Sequence, residues 1–189
     1  MGDLVKKTKI VPFLNTGTST EPVWTQIKKS TSFDLNTNPQ IKTFDFISSE
    51  QPEEEIDSYQ PNLAQALTMF KGEPDYQHIF DMLYELPTGE KAHRDVLVVF
   101  YQETAEYTPV SEPDAKTVYK AWKIDSLVKI NQLETTNEQI NFELGFNNIK
   151  RGAAEIVSGS PSFTEGTFTK TSSGYTFVPK GTVSESVGV

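Results

Sequence analysis

Two histidines and a run of three glutamates are the residues of this 189-residue chain best suited to chemistry. A histidine pair holds zinc or relays protons only when its spacing brings both rings to one ion or substrate atom. His78 and His93 are fifteen residues apart, which matches no common metal-ligand spacing. His78 falls on the polar side of an amphipathic segment, which predicts a solvated ring. Glu53, Glu54 and Glu55 are adjacent, so in extended chain their carboxylates diverge instead of converging on one proton or metal. With no cysteine, thiolate nucleophiles, disulfides and nearly all structural zinc sites are removed together. No nucleophile elbow, phosphate loop, dinucleotide fingerprint or calcium loop occurs. The sequence therefore predicts no enzyme, no cofactor and no metal site.

The elements that would position any site are mostly strands. A chain of this length predicts one domain with small appendages. No run approaches the roughly 18 apolar residues of a membrane span. The first ten residues carry no apolar core of a secretory signal. The net charge is −9, which disfavours general attraction to nucleic acid. Residues 1–22 are polar and turn-rich and read as an extended arm, anchored by Ile10, Val11, Phe13 and Leu14. From Thr25 to Leu35, apolar and polar residues alternate as in a strand with one wet face. "NTNPQ" at 36–40 then predicts a turn, and 41–47 the return strand. Residues 48–58 form a long acidic loop carrying Glu50, Glu53, Glu54, Glu55 and Asp57; such runs are usually solvated.

A helix is expected over about 74–86. Pro74 suits its first turn, Asp75 favours its positive end, and Tyr76, Ile79, Phe80, Leu83 and Leu86 fall on one face. The preceding "LAQALTMF" fits helix or strand. Beyond the helix, "RDVLVVFYQ" is apolar on both faces, as in a strand at a sheet centre. Val118, Trp122, Ile124, Val128 and Ile130 share one parity, which places Trp122 in the core. Ile140, Phe142, Leu144 and Phe146 alternate cleanly with polar residues. "GTFTKTSSGYTFVP" reads as a closing hairpin within 163–179, and 180–189 as a loose tail. One helix among seven or more strands predicts a mainly β fold: an antiparallel sandwich or barrel over 23–179 with one flanking helix.

The order of these landmarks resembles the tail tube proteins, or major tail proteins, of long-tailed, non-contractile bacteriophages. The resemblance runs through "VPFLNTGT", "PVWTQIKKSTSFDL", "NPQIKTFDFIS" and "IDSYQPNLAQALTMFKGEPDYQHIFDMLYELPTGEKA" with "RDVLVVF" behind it, over roughly residues 10–157. It implies that 62–70 is a strand leading into the helix. It further implies a virion protein, assembled in the host bacterial cytoplasm, that forms hexameric rings stacked into a tube for genome ejection. Implied partners are further copies of itself, a tape-measure protein, and tail initiator and terminator proteins. DNA would pass without specific binding, and no membrane is involved.

On that resemblance the inter-ring contacts are expected at Lys6, Lys7, Lys9, Phe13 and Leu14 of the arm and at Glu50, Glu53, Glu54, Glu55 and Asp57 of the acidic loop. The lumen-facing residues are expected among Lys28, Ser30, Asp34, Asn141 and Glu143. Two alternatives remain open: the inner tube of a contractile tail or tailocin, and a monomeric binding module using Trp24 or Trp122.

Overall fold

The computed structural model describes residues 6–48, 50–109, 114–172 and 174–181. Eleven strands and one α-helix occur among these residues. The strands are β1 (Ile10–Asn15), β2 (Trp24–Gln26), β3 (Ser30–Asn36), β4 (Pro39–Phe44), β5 (Glu53–Tyr59), β6 (Asn62–Thr68), β7 (His93–Tyr107), β8 (Lys116–Glu134), β9 (Gln139–Val157), β10 (Ser160–Thr171) and β11 (Gly174–Pro179). The helix is α1 (Pro74–Glu85), between β6 and β7. The expected mainly β fold with a single helix is the fold observed. The expected C-terminal tail lies almost wholly outside the described residues, as does the centre of the hairpin turn at residue 173.

The chain divides into two compact units: one holds the chain up to Ile27, Asp95–Ile124 and Ile149 onward, the other Lys28–Arg94 and Asp125–Asn148. In the first unit the strand pairings form a ring. β8 pairs with β7 and β9, β9 with β10, β10 with β11, and β11 returns to β7. Val96, Leu97, Val98 and Val99 of β7 are completely buried, which explains why that segment is apolar at both parities. Leu97 and Val99 pack with Phe13, Ala121 and Ala154, while Ala105, Val118, Ala153 and Phe177 form a second cluster.

The segment expected as an arm is corrected here. β1 runs antiparallel along β7, with Phe13 opposite Leu97 and Leu14 opposite Val96, and β2 pairs on its other side. Burying Phe13 and Leu14 is worth about 1.5–3 kcal/mol each, enough to draw this segment into the sheet. The buried Asn15 shapes the loop that follows: its Oδ1 accepts the Gly17 and Val23 N–H groups, each at 3.0 Å, and its Nδ2 donates to the Thr18 carbonyl.

In the second unit β6 lies between β3 and β9. Leu63, Gln65 and Leu67 of β6 are buried, as are Ile140, Phe142, Leu144 and Phe146 of β9. The segment 62–68 is thus a strand, and Gly72, at φ 95°, makes the turn into α1. α1 begins at Pro74 as expected and ends one residue early. Leu86 caps it in the left-handed region, φ 45°, and stays exposed. The buried face comprises Asp75, Ile79 and Met82, so the stripe is rotated from the one expected through Leu86.

The predicted strand at 25–35 is two strands: β2 pairs with β1, and β3 with β6. The predicted return strand, β4, pairs with β5 instead of β3.

Candidate functional site

The acidic segment is a strand, not a loop. β5 lies antiparallel to β4 with Ile41 opposite Ile56, Lys42 opposite Glu55, Thr43 opposite Glu54 and Phe44 opposite Glu53. A bulge after Gln40 shifts the register, and Asn38, at φ 42°, takes the tight turn into β4. The pair forms a sheet of its own. Every residue of β5 is exposed, and in β4 only Phe44 is half-buried.

An isolated two-stranded hairpin is at best marginally stable in water. This one has local supports. The Lys42 ammonium lies 5.4 Å from the centre of the Phe44 ring, and Phe44 stacks on Phe46 with centroids 5.7 Å apart. Apolar groups nonetheless face water: Ile41 and Ile56 are more than half exposed, and Ile47, in the connecting turn, is fully exposed. Polar residues normally occupy such turns. Ile41 and Ile56 are cross-strand partners, so their exposed side chains adjoin on one hairpin.

The second notable surface is the wet face of β3, β6 and β9. Asp34 lies opposite Ala64, and Ala64 opposite Glu143. Glu143 in turn binds Lys129 of β8 at 2.8 Å. Asn141 lies on the same face, opposite Ala66, and its Nδ2 donates to Glu134 at 3.2 Å. The structure thus brings Asp34, Asn141 and Glu143 onto one polar surface with small residues between. Ser30 instead donates to the Ser32 carbonyl at 2.6 Å, and Lys28 precedes β3 with its N–H bonded to Asp75.

The expected inter-ring residues divide. Glu50, Glu53, Glu54, Glu55 and Asp57 are exposed on the hairpin, and Lys6 and Lys9 are exposed near the start of the described chain. The side chain of Lys7 lies outside the described residues. Phe13 and Leu14 are buried in their own subunit at 2% and 0% exposure, so they are not available to a neighbour. That corrects the expectation for both.

His78 also differs from expectation. His78 is half-buried, and its Nε2 accepts a hydrogen bond from Arg94 Nε at 3.1 Å. Burial and the Arg94 charge lower its pKa below the usual 6.5, against a smaller opposing effect of Asp81. His93 Nδ1 lies 3.0 Å from Asp125. Among the described residues no three His, Cys, Asp or Glu side chains gather as a metal site. Nothing in the spacing of residues 78 and 94 announced the first contact; only the fold brings them together. Trp122, expected in the core, is half-buried and meets Phe100 edge-on at 5.1 Å.

No family model matches the chain, and no curated protein matches it. Among solved structures the chain is similar to one from the sheath–tube complex of an extracellular contractile injection system (PVC) in its extended state. The identity is 9%, the TM-score 0.41, and the match covers 79% of this chain and 92% of that one. It is also similar to a chain of the anti-feeding prophage (AFP) baseplate, 6-fold symmetrised. There the identity is 9%, the TM-score 0.42, and the coverage 80% and 97%.

Proposed function

We propose that this protein is a structural subunit that polymerises with itself into a tail tube. The observation that carries the reading is the β4–β5 hairpin: a two-stranded sheet exposed everywhere but at Phe44, with exposed Ile41 and Ile56 on its strands and Ile47 in its turn. A second copy that covers it removes that apolar surface from water at about 25 cal/mol per Å². The resemblance in the order of sequence landmarks supplies the architecture: hexameric rings, stacked into a conduit for a viral genome, in the tail of a virion. Tape-measure, initiator and terminator proteins are the further partners of that arrangement.

The polar face carrying Asp34, Asn141 and Glu143 suits a lumen wall, because a polar surface on a chain of net charge −9 does not hold phosphate and lets DNA slide. No retardation of a short DNA duplex by micromolar protein near physiological salt is the expected result. The exposed Lys6 and Lys9 suit contacts with the acidic hairpin of a neighbouring ring, although each exposed pair contributes only about 0–1 kcal/mol.

Electron microscopy of concentrated protein tests the reading. Rings or tubes of uniform diameter are expected; a strictly monomeric species with no ordered polymer at millimolar concentration overturns it. The inner tube of a contractile device is built on the same construction, and binding of a sheath protein along the outside of such tubes separates the two.

A further inference from the structure

The first unit contains a cleft of about 420 Å³, within the range of ligand pockets. Phe100 and Trp122 form one wall and Phe168 another. Gly152 and Gly166 also line it, and neither tolerates a side chain. A Cβ on Gly152 would sit 2.1 Å from the Thr164 carbonyl oxygen, and one on Gly166 would sit 2.4 Å from that of Val178. No side chain from either position can fill the space.

The cleft is apolar inside, and its edge carries Lys120, Glu103 and Arg151, a balance of one positive charge. Lys120 is bonded to Glu103 at 3.0 Å and lies 3.5 Å from the centre of the Tyr175 ring. Burial opposes its charge, but the contacts with Glu103 and Tyr175 outweigh that and raise its pKa, so it remains an ammonium. Arg151 is exposed and forms no ion pair among the described residues. An occupant that matches these walls carries an apolar or aromatic tip flanked by carboxylates.

The chain itself presents such a tip. At the end of the β4–β5 hairpin, Phe46 and the fully exposed Ile47 sit between Asp45 and Glu50. We propose that the hairpin tip of one copy enters the aromatic cleft of a second copy, with its flanking acids facing Arg151. This deepens the self-assembly reading and rests on it. Hairpin and cleft are different surfaces, so in a growing assembly the contact is heterologous: each copy gives its hairpin to one neighbour and receives that of another. Such a contact propagates into a ring if the rotation closes and into a filament if it does not.

Disulfide trapping tests this cleanly because the natural chain has no cysteine. Full-length Ile47→Cys protein is mixed with full-length Thr167→Cys protein; both positions are exposed, and Thr167 lines the cleft. The mixture is assembled and then oxidised. The expected product is a linked pair containing one copy of each variant, well above the linked pairs formed by either variant alone. Separately, Arg151→Glu is expected to raise the concentration needed for assembly several-fold, and Glu50→Lys in the same chain to recover part of it. Polymers that form without the mixed pair, or an Arg151→Glu protein that assembles like the natural chain at low salt, overturn the contact and leave self-assembly standing. If the natural chain forms no polymer at all, both readings fall.

Discussion

The Asp75 carboxylate anchors the backbone of Lys28, 47 residues away: Oδ2 accepts the Lys28 N–H at 2.9 Å. Its other oxygen accepts the N–H of Tyr76, also at 2.9 Å. That N–H belongs to the first turn of α1, where backbone donors have no partner within the helix. Asp75, at the positive end of the helix, thus also ties the helix start to the chain entering β3.

Replacing Asp75 with alanine leaves both donors without this acceptor. At 1% exposure the site gives water little access, and a buried donor left unpaired costs about 1–3 kcal/mol. Asp75→Ala is expected to lower stability by about 2–4 kcal/mol in urea titration, and Asp75→Asn, which keeps one acceptor oxygen, by less.

Gly152→Ala tests the close approach of β9 and β10. Besides the Thr164 oxygen, the added methyl would meet the Phe163 ring at 2.8 Å. A loss of about 1–3 kcal/mol or more is expected, since backbone must move to make room. Gly145→Ala is the control: its new methyl meets the flexible end of Lys129 at 3.4 Å. A loss below about 1 kcal/mol is expected there.

His78 imposes a pH dependence of known sign. Its pKa in the folded protein lies below 6.5, so the unfolded chain binds the proton first as pH falls. Stability contributed by the neutral ring is present above the unfolded value of 6.5 and is lost progressively as pH drops below it, down to the folded pKa. His78→Gln, which offers Arg94 a carbonyl oxygen, is expected to flatten that slope. Urea midpoints at about pH 7.5 and about pH 5.5 measure it.

Local pattern carried the sequence reading a long way. The alternation at Ile140, Phe142, Leu144 and Phe146 named the buried face of β9 correctly, and Pro74 marked the helix start. What pattern does not contain is the choice of partner. Residues 41–44 are extended whether they pair with β3 or with β5, and the difference lies in register across tens of residues. In the same way Phe13 and Leu14 mark an apolar segment, but β7 decides that it joins this sheet. The hairpin acids were legible as a charge run, whereas the cleft was not. It depends on Gly152 and Gly166 each meeting a neighbouring strand, and an isolated glycine in a strand signals only a possible close approach.

The ring of strands in the first unit has a seam. Among the described residues, β10 and β11 share six paired positions, whereas β11 meets β7 at one parallel bridge, Thr176 to Glu106. Backbone amides at such a junction have few neighbours holding them shut, and proteins open locally where cooperative contacts are fewest. Hydrogen exchange around Thr176 and Glu106 therefore runs ahead of exchange at Val96–Val99, which are buried and paired along β1. Opening of the closed band of strands at this bridge is the expected first step, ahead of any loss of the core. The band's closure then depends on a junction that local opening can break while the buried Val96–Val99 segment stays folded.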